Sequence, residues 1–452
     1  MNSERISLAL RDASDTEQVV IGAGALASVA DVFARCFGDR PAVVVADENT
    51  DAVAGGRVRR ELEAAGQVTV EPFVFPGHPT LYAEYGNVEK LRDSLRGNDA
   101  VPLAVGSGTL NDLVKRAAHE AGRGYLAVAT APSMDGYSAF GASITRQGYK
   151  QTMTCPAPRA VVADLGVLAR APERMRASGY GDLLGKVTAG ADWLLADALE
   201  VERIDPRIWS LVQDNLRAAI GRPAELRAGD PEVIERLIEG LVMSGLAMQA
   251  HQSSRPASGA EHQFSHLWEM EGLGLHLEPP LSHGFKVGVG SIAIAALYER
   301  ILARDLDRLD VPSIVRDWPD AEQVERAVRA EHTTPGLDEA AVAESLAKHP
   351  DQETLERRLR RLAERWPELR GGLETQLLPA GTLREMLREA GCPTGPAEIG
   401  LEPEALRATY VRSRMIRRRY TVLDLAAETG LLDECVDELF SPGGFWGSTV
   451  RG

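Results

Sequence analysis

The sequence predicts an α/β domain with a parallel sheet over residues 1–165, followed by an all-α domain over residues 166–452. Short valine-rich runs alternate with helical stretches in the first part, a pattern typical of a parallel sheet that helices cover on both faces. After residue 166 these runs disappear and helical periodicity takes over. The chain of 452 residues also exceeds the roughly 250–300 residues at which one hydrophobic core stops growing.

The same patterns predict the elements in order. Strands are expected at residues 19–21, 42–46, 68–75, 101–105 and 125–129, with a helix over 111–121. Helices are expected at residues 171–199, 206–218, 231–274, 285–303 and 404–430, with breaks at prolines such as Pro256. The segment 304–374 is rich in Arg, Glu and Ala. We expect it to form a solvated helical hairpin, or part of a contact in a homodimer or larger homo-oligomer.

Composition and charge narrow the class of protein. A net charge of −16 argues against nucleic acid and an anionic membrane surface as partners. No apolar run approaches the roughly 20 residues that span a bilayer, and the first residues lack the apolar core of a signal peptide. The four cysteines are far apart and show no Cys-x-x-Cys spacing, so reduced thiols are expected. These features predict a cytoplasmic protein without membrane insertion.

Histidines concentrate in one window and predict a metal site. Four of the nine histidines fall within 22 residues. His262 and His266 are four residues apart, so they share one face of a helix. His283 follows a Glu-Pro-Pro loop that can fold a third imidazole back towards that face. Asp182 opens a predicted helix, where it can either complete the site or cap the helix. Two imidazoles with a carboxylate accept zinc, nickel or iron(II).

A glycine-rich loop after the fourth predicted strand predicts a phosphate-binding site. The loop links a strand to a helix, where backbone N–H groups and the helix dipole hold an anion, as in Rossmann-like domains. Gly22 and Gly24 form a second glycine pair that lacks the third glycine, and it receives less weight. Asp47 ends a valine-rich strand and can either bind a ribose hydroxyl pair or cap a helix. The loop residues expected to contact a dinucleotide are Gly106, Ser107, Gly108, Thr109 and Asp112.

Small hydroxyl residues and a carboxylate follow the next predicted strand. Thr130, Ser133 and Asp135 lie in this loop at the end of the strand. Such residues suit a hydroxylated ligand that lies against a cofactor. An ordinary Ser/Asp turn is the structural alternative.

Several stretches of the chain carry a family resemblance. They are Ser-Met-Asp-Gly-Tyr-Ser at 133–138, Gly-Asp-Leu-Leu-Gly-Lys at 181–186, Ser-Arg-Pro-Ala-Ser-Gly-Ala-Glu-His-Gln-Phe-Ser-His-Leu-Trp-Glu-Met at 254–270 and His-Gly-Phe-Lys at 283–286. Together they resemble the sn-glycerol-1-phosphate dehydrogenase family. That family belongs to a larger group of metal-dependent alcohol dehydrogenases, glycerol dehydrogenases and dehydroquinate synthases. The run at 254–270 is the specific part, because the larger group shares only its histidines.

The resemblance implies a dehydroquinate synthase-like fold and an enzyme of phospholipid biosynthesis. The implied reaction is the NAD- or NADP-dependent reduction of dihydroxyacetone phosphate to sn-glycerol 1-phosphate with one divalent metal, zinc or nickel before iron(II). The implied metal ligands are Asp182, His262 and His283. His266 and Asp135 are implied as catalytic residues beside the substrate. The implied cofactor contacts are Asp47, the loop from Gly106 to Asp112, Thr130 and Ser133.

A phosphorylated substrate needs cations in so acidic a protein. Lysine is rare here, with six residues against 44 arginines, and its compact charge suits a phosphate group. The candidate phosphate ligands are Lys150, Lys186, Lys286 and Arg255, with no ranking among them.

Two departures from the family pattern leave alternatives open. Phe285 stands where a polar residue is expected, and the segment 304–374 is longer than in typical members. The same chemistry on another small phosphate or phosphonate ketone is one alternative. A dehydroquinate synthase-like cyclase or lyase without net redox turnover is the other, although such enzymes usually have Glu rather than Asp at position 182.

Overall fold

The computed structural model of the chain describes residues 4–146, 149–334 and 336–447. Its strands are β1 (Gln18–Gly22), β2 (Ala42–Asp47), β3 (Phe73–Phe75), β4 (Val101–Gly106), β5 (Leu126–Ala129), β6 (Ala142–Arg146), β7 (Tyr149–Met153) and β8 (Ala160–Asp164). Six strands form one parallel sheet in the order β1-β8-β5-β4-β2-β3, and β6 pairs with β7 in an antiparallel hairpin. The predicted α/β fold of the first part is confirmed.

Helices flank the sheet and make up nearly all of the regular structure after it. They are α1 (Glu4–Asp12), α2 (Val29–Phe37), α3 (Glu48–Thr50), α4 (Gly56–Ala64), α5 (Tyr85–Arg96), α6 (Gly108–Glu120), α7 (Leu165–Leu168), α8 (Glu173–Leu184), α9 (Lys186–Ala198), α10 (Pro206–Gln213), α11 (Leu216–Ile220), α12 (Pro223–Ala228), α13 (Pro231–His251), α14 (Ala260–Met270), α15 (His283–Leu302), α16 (Val311–Arg316), α17 (Ala321–Glu331), α18 (Leu337–Lys348), α19 (Gln352–Gln376), α20 (Ala380–Glu389), α21 (Pro403–Met415), α22 (Val422–Glu428) and α23 (Leu432–Phe440). Among the described residues, no helix combines the length and the hydrophobicity that a bilayer crossing requires.

Side chains of the central strands alternate between the two faces of the sheet. Val44 packs with Phe33 of α2 on one face. Val45 packs with Leu91 of α5 and Leu113 of α6 on the other. Because both faces are covered, the strands are valine-rich along their whole length rather than alternating with polar residues.

Sequence patterns missed three strands and lengthened a fourth. β8 lies between β1 and β5, and its Ala-Val-Val-Ala-Asp run has the same character as the end of β2. β6 and β7 have no valine run that could have signalled them. The predicted strand 68–75 is reduced to β3, with one isolated bridge at Thr69. Pro72 interrupts it because proline has no N–H to donate to a neighbouring strand.

The predicted helical second part is also present, with more breaks than expected. The stretch 171–199 divides at Gly185 into α8 and α9, and 231–274 divides around the turn Arg255–Ala257 into α13 and α14. The segment 304–374 is helical as predicted. Within it, α19 buries one apolar face that includes Leu359 and Trp366, while α17 packs on α18. The expected part of the segment 304–374 in an oligomer contact stays a prediction.

Glycines let α8 and α15 cross at very short range. An added Cβ at Gly181 would overlap the carbonyl oxygen of Gly284, and one at Gly284 would overlap that of Ser178. Only residues without a side chain allow this approach. The crossing brings Asp182, near the end of α8, next to His283, the first residue of α15.

We expect Gly181→Ala to destabilise the protein by about 1–3 kcal/mol, because the extra methyl group overpacks this crossing. The same variant should bind divalent metal less tightly, since the helices that carry Asp182 and His283 must separate. Thermal unfolding and metal analysis after dialysis measure both effects. Gly371→Ala is the matched control, because Gly371 lies in α19 with no atom near an added Cβ. Equal melting temperatures for the two variants would contradict a tight crossing.

Candidate active site

Three helices bring Asp182, His262 and His283 together. One possible ligand atom from each residue lies within 4.8 Å of the others. The Asp182 side chain is fully buried, and its Oδ1 lies 3.6 Å from Nε2 of His262. The sequence predicted that Asp182 begins a helix. In the structure it lies near the C-terminal end of α8 instead. The helix-cap interpretation of Asp182 is therefore wrong.

A buried carboxylate holds each of the two imidazoles at Nδ1. Nδ1 of His262 lies 2.7 Å from Oε1 of Glu261, and Nδ1 of His283 lies 2.9 Å from Oε1 of Glu269. Thr188 in turn donates to Glu261. A proton held on Nδ1 leaves the Nε2 lone pair for a metal. This donor set fits a divalent ion such as zinc.

Sequence reasoning did not single out Glu261 or Glu269 as site residues. Glu269 lies seven residues after His262, which is two helical turns, so it occupies the same face of α14. This seven-residue spacing is visible in the sequence and could have indicated that Glu269 lies near His262. Glu261 directly precedes His262 and reaches its Nδ1 from the adjacent position, which no helical periodicity would have indicated.

Lys186 joins the metal-capable cluster to the loop after β5. Its buried Nζ lies 2.6 Å from Oδ1 of Asp182 and 2.7 Å from Oδ2 of Asp135. The backbone N–H of Asp135 donates to Oδ2 of Asp182 at 2.9 Å. Although burial opposes the charged form, the two carboxylates raise the pKa of Lys186 above its usual value. Lys186 is thus committed to two carboxylates.

Two other lysines meet at Glu269, beside His283. Nζ of Lys150 lies 3.2 Å from Oε1 of Glu269, and Nζ of Lys286 lies 4.0 Å from the same oxygen. Burial, helped by the charge of Lys150, lowers the pKa of Lys286 to about 8. Although burial opposes ionisation, Lys150 and the neighbouring histidines hold the pKa of Glu269 well below its usual value. Lys150 and Lys286 therefore form a cationic corner around Glu269, next to His283.

His266 lies at the edge of the same cluster. Its ring centroid is 6.1 Å from that of His262 and 5.9 Å from that of His283. Its Nδ1 lies 3.6 Å from Oε2 of Glu269. Burial lowers the pKa of His266 to about 3, so its imidazole is neutral at neutral pH.

Arg255, the fourth candidate cation, does not join this corner. Its fully buried guanidinium donates to the carbonyl oxygens of Tyr420 at 2.9 Å and Asp192 at 2.7 Å. Its Nε lies 3.3 Å from the Glu202 carboxylate. These contacts make Arg255 a crosslink between segments of the helical part, and we do not retain it as a phosphate ligand.

The glycine-rich loop lies at a switch point of the sheet. From β2 the chain first extends the sheet outward to β3 and then returns to the other side with β4, so a crevice opens beyond the ends of β2 and β4. Asp47 ends β2, and Gly106 ends β4. Oδ1 of Asp47 accepts the backbone N–H of Thr50, so Asp47 does cap α3. Its expected ribose contact stays a prediction.

The remaining predicted cofactor residues lie around the same crevice. Ser107 precedes α6, which begins at Gly108, and Thr109 lies in its first turn. The N–H of Thr130 donates to the carbonyl oxygen of Gly106 at 3.1 Å, so the loop after β5 borders the glycine-rich loop. Ser133 is buried further along that loop. Asp112 instead turns away to Lys115 and to the N–H of Ser143.

Phe285 lies in the apolar core, with 8% of its surface exposed. Phe285 therefore makes apolar contacts, one residue before Lys286, rather than a polar contact. Its effect on substrate choice remains a prediction from the sequence.

Comparisons with known proteins find relatives of this sequence. Residues 20–172 match the family model described as iron-containing alcohol dehydrogenase. The glycerol-1-phosphate dehydrogenase (NAD(P)+) of Bacillus licheniformis is 30% identical over 92% of this chain and 90% of its own length. That of Halalkalibacterium halodurans is 40% identical over 57% of this chain and 64% of its own length.

Solved structures share the fold at lower sequence identity. A probable glycerol dehydrogenase from Sinorhizobium meliloti has a TM-score of 0.58 at 16% identity, over 93% of this chain and 97% of its own. A glycerol dehydrogenase from Schizosaccharomyces pombe has a TM-score of 0.57 at 17% identity, over 97% of this chain and 92% of its own. These structures show a shared fold, and the curated relatives show that the chain belongs to the glycerol-1-phosphate dehydrogenase family.

Proposed function

We propose that this enzyme reduces dihydroxyacetone phosphate to sn-glycerol 1-phosphate with NADH or NADPH, and catalyses the reverse reaction. The relatives named glycerol-1-phosphate dehydrogenase support the reaction. The observation that carries the substrate class is the pair Lys150 and Lys286, which meet at Glu269 beside His283. The partly buried Lys150 and the buried Lys286 share one carboxylate, that of Glu269, so the three groups carry a positive charge that favours a phosphate.

Asp182, His262 and His283 would hold the metal. When bound, the metal supplies a Lewis acid for the ketone, and the dinucleotide supplies or accepts the hydride. The carboxylates of Glu261 and Glu269 keep both imidazoles in the tautomer that such binding needs. Zinc or nickel is favoured over iron(II), because nitrogen and oxygen ligands generally bind them more tightly.

The dinucleotide would lie across the crevice between β2 and β4. The backbone N–H groups at the start of α6 would hold its pyrophosphate, and Asp47 would bind the adenosine ribose. Thr130 and Ser133 precede Asp135 in the loop after β5, which borders this crevice. The substrate would therefore lie between Asp135 and the corner formed by Lys150 and Lys286, with its phosphate on the two lysines.

His266 would relay the proton that accompanies hydride transfer. Its imidazole is neutral and has one nitrogen directed to Glu269, so the other can exchange a proton with a substrate hydroxyl or with water. Asp135 would orient a substrate hydroxyl from the opposite side. Asp at position 182, together with the names of the relatives, disfavours the dehydroquinate synthase-like alternative.

The first test is NADH oxidation, followed by absorbance, with dihydroxyacetone phosphate as substrate. We expect turnover that a chelator abolishes and that added zinc or nickel restores. A stereospecific assay of the product should detect sn-glycerol 1-phosphate. Binding of NADH and metal without turnover would contradict the proposed substrate, and formation of the sn-3 enantiomer would contradict the proposed product.

We expect His262→Ala to lose both bound metal and activity. Removal of one of three protein ligands leaves Asp182 and His283, and the loss of Lewis acidity should lower kcat by about 1,000-fold or more. Metal analysis after dialysis and steady-state kinetics measure the two effects. His276→Ala is the control, because His276 is exposed and outside the cluster. Normal metal content in His262→Ala would remove this residue from the site.

We expect Lys150→Ala and Lys286→Ala each to raise the KM for dihydroxyacetone phosphate. A hydrogen bond to a charged group contributes about 1.5–3 kcal/mol, which corresponds to about a 10- to 100-fold change. The KM for unphosphorylated dihydroxyacetone should change little, because it lacks the group these lysines bind. Lys90→Ala, on the exposed side of α5, provides the control. An equal loss with both substrates would place the phosphate elsewhere.

A further inference from the structure

We propose that Lys115 is a positioning residue that fixes Asp135 in place through the carbonyl group of Gly136. Lys115 lies on α6, the helix behind the glycine-rich loop, and not in the proposed active site. The inference rests on the proposed function, in which Asp135 contacts the substrate. It links the helix that would bind the dinucleotide to the cluster that would bind the metal.

The contacts begin on the inner side of α6. The Lys115 ammonium is fully buried and donates to the carbonyl oxygens of Gly136 at 3.0 Å and Gly141 at 2.9 Å. The side chain of Asn111 donates to the same Gly136 oxygen at 3.1 Å. Two donors from one helix therefore hold a single carbonyl group in the loop that follows β5.

The other end of this loop is attached to α8. The N–H of Asp135, in the peptide group that joins it to Met134, donates to Asp182 at 2.9 Å. Oγ of Ser178 donates to the carbonyl oxygen of Ser133 at 3.0 Å. The loop therefore spans α6 and α8, and the Asp135 carboxylate lies between two fixed peptide groups.

Because residue 136 is a glycine, its backbone needs hydrogen bonds from other segments to keep one conformation. A glycine loses more conformational freedom on folding than any other residue, so its backbone needs contacts that select one conformation. Met134 packs against both Gly108 and Gly136, but a flexible thioether specifies a position poorly. The directional hydrogen bonds from Asn111 and Lys115 supply that selection.

The chemistry of the Lys115 site argues against simple space filling. Its only carboxylate partner among the described residues is Asp112, at 3.4 Å, and the other acceptors are neutral carbonyl groups. Burial of an ammonium is costly, and replacement of a whole buried ion pair by apolar side chains is often neutral or stabilising. A residue kept at this cost is expected to specify a conformation rather than to add stability.

The test is Lys115→Met in the full-length protein, with Lys90→Met as the exposed control. Hydrogen exchange of the peptides that cover residues 131–143, measured by mass spectrometry, reports the loop directly. We expect exchange there to be about tenfold faster or more, with no comparable change in the peptides that cover β2 and β4. Unchanged exchange in a folded variant would overturn the proposal. Should Lys115→Met fail to fold, Asn111→Ala loosens the same carbonyl group and is expected to speed exchange in the same peptides.

A kinetic cycle with Asp135→Asn separates positioning from a merely structural role. If Lys115 acts through Asp135, Lys115→Met should lower kcat about 10- to 100-fold in the native background and less than about threefold in the Asp135→Asn background. Equal losses in both backgrounds would overturn the proposal. An inactive native enzyme would overturn the proposed function instead, and the exchange measurement would still decide the role of Lys115.

Discussion

The burial of the Asp182 carboxylate is the constraint on which the rest of the site depends. A carboxylate without partners in such a position is costly, and this one is fully buried. Lys186, the N–H of Asp135 and the imidazole of His262 all contact it. Although burial opposes ionisation, Lys186 and the histidines hold its pKa well below the usual value. The close approach of α8 at its glycines follows from this constraint, because the groups that contact Asp182 have to lie within hydrogen-bond range of it.

Helix α14 then provides most of the remaining site from one face. His262 and His266 point towards the cluster, and Glu269 reaches back to His283 on the next helix. A helix holds side chains at fixed spacing, so the geometry of α14 determines how far Glu269 lies from His262. Glu269 contacts both His283 and Lys150, and it therefore relates the metal position to the proposed phosphate position.

The predictability of each element followed the strength of its local pattern. Valine runs such as β2 and β4 were found because burial on both faces demands them. β6 and β7 were missed because neither contains a valine run, although they are neighbours along the chain and pair with each other. The three metal-capable residues could be named by resemblance, but Glu261 and Arg255 could not be assigned. The partners of Arg255 come from segments that meet only in the folded molecule. Glu261 contacts its own neighbour His262, which no helical spacing indicates.

The charges of the site explain how an acidic protein can attract an anionic substrate. Around the cluster lie four carboxylates, Asp135, Asp182, Glu261 and Glu269, against three ammonium groups, Lys150, Lys186 and Lys286. With the imidazoles in the neutral form that metal binding requires, these side chains leave a net charge of about −1, which repels a phosphate dianion. A divalent ion held by Asp182, His262 and His283 would reverse that sign. Metal binding would therefore prepare the site electrostatically for the substrate as well as chemically, because it would make the potential at the site attractive to an anion.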